Sequence, residues 1–279
     1  THAARARPGA ARSRLRWICP VCLIAFAWRM RVDAPLLLVA NRDEFHARPA
    51  AAAGFWDDAP GVFAGRDMTA GGTWIGLGKN GRFAAVTNIR DPQGKAGTAA
   101  RSRGELTADF LRLGTPAESY LGEIAQRIGD YQGFNLLIGD GQALWYLHGE
   151  SGSTPRALTP GVYGLSNAAL DVPWPKLVLA RERLAQLALA PPLPSAEDLN
   201  RCVSSRQLAL EEELAEFGDS MLPALSAQFI VTPVYGTRCQ TTLRYLEDGH
   251  RELCETRFDE TGVAVGTSGI CMVDGPGPG

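Results

Sequence analysis

Three pairs of short apolar runs, each folded about a tight turn, constrain this chain more than any other feature. Residues 22–28 and 36–40 form the first pair, turning through Asp33-Ala34-Pro35. Residues 73–77 and 82–87 form the second, on either side of Lys79-Asn80-Gly81. Asn-Gly is a strong hairpin signal because both residues tolerate positive φ. Residues 134–138 and 143–147 form the third, about Gly139-Asp140-Gly141. Apolar runs of this length between turn signals read as strands. The later runs 228–231, 238–245 and 251–258 are predicted strands as well.

Helical stretches stand between these groups. Thr115-Pro116-Ala117-Glu118 has the form of a capping box with proline at the first helical position. Behind it Ala117, Leu121, Ile124 and Ile128 fall on one face. A second helix is expected over residues 174–189, with Leu177, Ala180, Leu184 and Leu187 inward, and Ser195 is a candidate cap for a third. Consecutive hairpins with helices grouped apart predict an α+β fold, antiparallel sheets covered by helices, and not a βαβ array.

The ends differ from the middle. Residues 1–20 carry five arginines and no acid, and the chain closes on Gly275-Pro276-Gly277-Pro278-Gly279. Residues 1–21 therefore read as a disordered extension, 22–260 as the domain, and 261–279 as a disordered Gly/Pro-rich tail. A signal peptide would need a small-residue cleavage site after residues 17–28, and instead Arg29-Met30-Arg31 closes that run with charge. The first residue is Thr1, and the composition shift near Val21 fits synthesis starting there, which places Cys22 next to the initiator.

Composition excludes several classes. A net charge of -2 argues against a dedicated nucleic-acid binder, which needs a basic surface. No run of eighteen apolar residues is present, so no membrane span is expected. Six sparse, irregularly spaced cysteines suit reduced cytoplasmic thiols better than a disulfide framework. Cys19-Pro20-Val21-Cys22 lacks the second pair a zinc site needs, and it opens a strand where a thioredoxin-type motif opens a helix. No metal and no cofactor are expected.

The candidate centre is Cys22. An arbitrary cysteine in a strand is usually a small buried hydrophobe, but here Asn41-Arg42-Asp43-Glu44 follows the partner strand of the same hairpin and returns a polar cluster towards it. A nucleophile needs a base, and a freed α-amino group, with an ordinary pKa of about 7.7–8.0, supplies one. Asn88 and Asn167 end two other strands; asparagine is common in turns, and at a strand end it can also donate to a developing oxyanion. Arg238 adds a cation near the start of a late strand.

These residues, taken in order, resemble the NRDE family, named for Asn41-Arg42-Asp43-Glu44 and related to the eukaryotic transport-and-Golgi-organisation proteins. The resemblance also rests on Gly65-Arg66-Asp67, Gly71-Gly72-Thr73-Trp74, Thr87-Asn88, Arg103-Gly104-Glu105, Gly133-Phe134-Asn135, Tyr163-Gly164-Leu165-Ser166-Asn167, Pro173-Trp174-Pro175-Lys176 and Tyr235-Gly236-Thr237-Arg238. That family looks like the N-terminal-nucleophile (Ntn) hydrolases, which implies a four-layer αββα sandwich. By that resemblance Cys22 would be the nucleophile, its own α-amine the base, Asp43 the residue orienting that amine, and Asn88 and Asn167 the oxyanion donors. Asn41, Arg42 and Arg238 would contact the substrate. The similar amidases carry an arginine where this chain has Ala40.

Two functions follow as expectations. One is a hydrolase or acyltransferase that acts on a small-molecule amide through a thioester at Cys22. The other is a non-catalytic trafficking factor holding a lipid-like or haem-like ligand in the same cleft.

Overall fold

The computed structural model describes residues 22–90, 99–215 and 223–273. The expectations for residues 1–21, including Cys19 and Val21, and for the last six residues lie outside the described ones.

The first hairpin forms as predicted: β1 (Leu23–Trp28) pairs antiparallel with β2 (Leu36–Phe45). Both faces of the pair are buried, which is why the runs read as continuous rather than alternating. β2 is longer than expected, so Asn41-Arg42-Asp43-Glu44 lies inside the strand and not beyond it. The reason is its partner, β11 (Tyr235–Tyr245), which pairs along the whole of β2 and satisfies its backbone. With β10 (Gly161–Leu165), β12 (His250–Phe258) and β13 (Ala264–Val273) they form a six-stranded sheet in the order β10-β1-β2-β11-β12-β13.

Two expectations are corrected here. The tail predicted from residue 261 contains β13, whose small residues carry little strand signal but pair with β12 from His250↔Val273 to Phe258↔Ala264. Asp259 builds the turn between them, its carboxylate accepting from the N–H groups of Thr261 and Val263. Residues 228–231 are not a strand; only Val231 bridges, to Gly236.

The second sheet runs in chain order: β3 (Ala50–Trp56), β4 (Ala59–Asp67), β5 (Ile75–Leu77), β6 (Phe83–Asn88), β7 (Phe134–Gly139), β8 (Leu144–His148) and β9 (Arg156–Ala157). It contains the other two predicted hairpins, β5–β6 and β7–β8. Asn80 and Gly81 turn the first of these at φ 56° and 66°.

The helices are α1 (Arg103–Arg112), α2 (Ala117–Gln126), α3 (Pro175–Leu189), α4 (Ala196–Arg201) and α5 (Glu211–Ala215). At α2 the predicted capping box is absent: Pro116 is the cap residue and makes no side-chain cap bond. Ser195 does cap α4, in a reciprocal box with Asp198.

Three cores fill the gaps between four layers. Leu23, Val39, Leu177 and Leu184 pack between the first sheet and α3 to α5. Phe26, Leu38, Phe83 and Leu243 pack between the sheets. Val86, Leu106, Leu121 and Phe134 pack between the second sheet and α1 with α2. The fold is an α+β, four-layer αββα sandwich of antiparallel sheets. Among the described residues no helix is long and apolar enough to cross a membrane.

Candidate functional site

Strand alternation divides the polar segment of β2 between two layers. Asn41 and Asp43 continue the face of Leu37 and Val39, towards α3; Arg42 and Glu44 continue that of Leu36 and Leu38, towards the second sheet. Cys22 stands one residue before β1. The registers Leu23↔Asn41 and Ile24↔Leu165 therefore set it between Arg42 and Asn167. Ser166 holds its backbone, donating from Oγ to the Cys22 carbonyl at 2.8 Å.

Half-buried Cys22 opens onto a cleft of about 230 Å³ between the sheets, walled by Arg42, Asp43, Trp74, Asn88 and Arg103 among others. The Arg42 guanidinium lies 4.2 Å over the Trp74 ring and 3.7 Å from Asp67. Ala40 is a core residue between the sheets, so Arg42 is the cation this strand presents to the cleft. The opposite wall is a close contact: Thr73 N–H donates to the Gly104 carbonyl at 3.2 Å. A Cβ on Gly72 would come within 2.4 Å of the Gly104 backbone. Gly72→Ala is expected to cost about 1–3 kcal/mol by urea unfolding, because the obstructing atoms are backbone and cannot rotate away. An unchanged midpoint would show that the wall yields freely.

The helix-side layer behind Cys22 is closed. Asp43 is fully buried; its Oδ1 accepts from the Thr237 hydroxyl at 2.6 Å, and its Oδ2 has no hydrogen-bond partner. A β-bulge in β11 between Thr237 and Cys239 makes Arg238 the extra residue and leaves Thr237 opposite Asp43. Burial raises the Asp43 carboxyl from its ordinary 3.8 to about 6, against the pull of Lys176, the Thr237 hydrogen bond and Arg42. Burial, then the Asp43 carboxylate, raises the Cys22 thiol to about 11, partly offset by a backbone hydrogen bond from Asp43 and by Arg42. At neutral pH the thiol is protonated and needs a base as it attacks.

The predicted residues separate into three groups. Cys22, Arg42, Asp43 and Asn88 meet at the cleft. Asn167 sits beside it, donating from Nδ2 to the Asn88 carbonyl at 2.8 Å, so it retains at most one N–H for any other acceptor. Asn41 and Arg238, expected as substrate contacts, are not among the residues that wall this cleft. Asn41 is buried on the helix side, where Nδ2 donates to the carbonyls of Val203 and Gln228. Arg238 is spent on the turn after β2, donating to the carbonyls of Phe45 and His46 at 3.1 and 2.9 Å. The alternation of β2 places Asn41 on the helix side, and its hydrogen bonds hold Arg238 at the turn after β2.

Thr237 and Lys176 are the residues that sequence reasoning left without a role. Both stand in quoted motifs, which was the available signal. A larger groove, about 500 Å³, lies outside α3 against residues 207–213 and reaches Lys176 but not Cys22; the smaller cleft is the one onto which Cys22 opens. Five cysteines are described, all unbonded, and no cluster of metal-ligating side chains occurs among the described residues.

Residues 21–260 match the model of the family described as "Transport and Golgi organisation 2". The human Transport and Golgi organization protein 2 homolog is 35% identical over 251 residues, which is 82% of this chain and 90% of that protein. The mouse homolog is 32% identical with the same coverage. The Drosophila melanogaster Transport and Golgi organization protein 2 is 31% identical over 109 residues, 37% of this chain and 38% of that protein. Among solved structures, a Caenorhabditis elegans N-acylethanolamine-hydrolyzing acid amidase ortholog aligns with a TM-score of 0.48 at 7% identity. It covers 80% of this chain and 92% of that chain, a likeness too loose to bear on activity.

Proposed function

The chain belongs to the Transport and Golgi organisation 2 family, and we propose that it is an Ntn-type cysteine hydrolase or acyltransferase acting on a C–N amide bond. The observation that carries this reading is the juxtaposition of a cleft-facing thiol with a buried carboxylate whose Oδ2 has no partner. An unpaired buried carboxylate oxygen is costly, and such groups concentrate where chemistry needs them.

In this reading the α-amine of Cys22, once free, takes the thiol proton and rests against Asp43. Sγ attacks the substrate carbonyl, Asn88 donates to the oxyanion, and the amine passes its proton to the leaving nitrogen as the C–N bond breaks. Water or an acceptor amine then resolves the thioester and restores the thiol. Asn167 acts through Asn88, whose carbonyl it holds.

A carrier role, which the names of the relatives favour, asks for a different cavity. A bulky lipid-like or haem-like ligand needs an apolar pocket of several hundred Å³. The cleft holds about 230 Å³ and is walled by Arg42, Asp43, Glu44, Arg48, Asp67 and Arg103. That favours a small, polar acyl substrate.

The test expresses the chain from residue 21, with Met there, reads its N-terminal mass, and exposes it to a thiol-reactive acyl probe. A terminus at Cys22 and acylation of Cys22 alone are expected, with the label lost in Cys22→Ser. An unreactive Cys22, or a Cys22→Ser chain that keeps all activity in cells, overturns the covalent mechanism.

A further inference from the structure

Lys176 is a lysine in the wrong place for a structural one. It is only 3% exposed, and its Nζ is buried without a hydrogen-bond partner. It is the second residue of α3, where the helix dipole disfavours a cation. Nothing in the helix itself accounts for it.

Its surroundings do. The Lys176 carbonyl accepts from Gln228 Nε2 at 3.0 Å, and the Gln228 carbonyl accepts from Asn41, two residues from Asp43 on the same face of β2. Lys176 and Asp43 thus share one layer behind Cys22, within electrostatic reach and not in salt-bridge contact, and each leaves one buried polar atom unsatisfied. The charged groups around them are few. Asp43 feels Lys176 first and Arg42 second, and Arg42 lies on the other face of β2 with Trp74, Glu44 and Asp67. Lys176 feels Asp43, Cys22 and Arg90, while Arg183 reaches the layer at the Gln228 side chain and near Cys202.

We propose that Lys176 is the buried counter-ion of Asp43, a positioning residue that keeps this carboxylate ionised beside Cys22. The proposal rests on the reading of Cys22 and Asp43 given above. Burial brings the ammonium down to about 8, so it is still mostly charged at neutral pH and can do this work. Without it, the carboxylate would keep only the Thr237 hydrogen bond and Arg42, on the far face of its strand, and would hold its proton into the neutral range.

Infrared difference spectra of chain carrying ¹³C-carboxyl aspartate, taken against Asp43→Asn, isolate the Asp43 band for titration. The wild-type midpoint is expected at about 6. Lys176→Met should move it up by about one pH unit or more, and Lys176→Arg should leave it in place. Superimposed midpoints for wild type and Lys176→Met overturn the proposal. Should Lys176→Met fail to fold, Asp43→Asn/Lys176→Met decides: recovery of the fold supports the pair, and continued unfolding overturns it. Acyl-probe labelling of the same preparations is read separately. A wild type that titrates as expected yet does not label Cys22 removes the nucleophile and leaves the counter-ion.

Discussion

A chain that begins at Cys22 should take up an acyl probe roughly 10²–10⁴-fold faster than one in which residue 21 is still joined to it. The difference is the nitrogen. A peptide nitrogen has no basic lone pair, whereas a free α-amine with an ordinary pKa is about one-third neutral near pH 7.5. The thiol cannot compensate, because burial and Asp43 hold it up at about 11 and leave almost no thiolate at that pH. Asp43 Oδ2, buried and unpartnered, is the acceptor that the proposed mechanism assigns to such an amine. The comparison needs two preparations, one processed to Cys22 and one blocked by an uncleavable residue 21, with labelling followed by peptide mass. Equal rates would remove the α-amine from the mechanism and leave the proton to another group.

Much of this site was legible in the chain, and what was hidden was hidden for physical reasons. Residues 22–28 and 36–40 read as a hairpin because their apolar runs are buried on both faces, and the pairing alone brings Asp43 near Cys22. Proximity in a hairpin is local information. Which way a side chain points depends on register with a distant strand, which no local run of residues carries. Arg238 reads as a cation near the start of a late strand, and as the extra residue of the β11 bulge it donates to the turn after β2. Asn41 looked like part of the site and faces the helix layer by one step of alternation. β13 was missed because its strand character comes from pairing with β12 rather than from its own residues. The low-complexity alanine run 50–53 concealed β3 in the same way. Lys176 stands 133 positions from Asp43 in the chain, so only the packed fold could reveal the two unsatisfied atoms in one layer.

That layer should also cost the protein stability, and a double substitution should recover it. Asp43→Asn/Lys176→Met is expected to be more stable than the wild type by about 1–4 kcal/mol near pH 7, as when a buried ion pair is replaced by neutral side chains. The signs follow from the two shifts. Asp43 is raised from 3.8 to about 6, so ionising it in the folded state opposes folding; this cost is absent below about 4 and complete above about 6. Lys176 is lowered from 10.5 to about 8, so its charge opposes folding below about 8, and the cost fades by about 10.5 as the unfolded chain loses the same proton. Both costs are therefore carried at neutral pH, and the double variant's stability should change less between pH 4 and 6 than that of the wild type. Lys176→Met alone should fall below the double variant at pH 8, where Asp43 must ionise without its partner. At pH 5 that gap should be smaller, because the carboxyl takes up a proton instead. Urea unfolding of the four chains at pH 5 and pH 8 measures the cycle. A double variant no more stable than Lys176→Met alone would mean that the two charges do not compensate each other. The predicted signs would mean that the two charges are held against the stability of the fold, as expected where they serve the proposed reaction of Cys22 rather than the packing of α3.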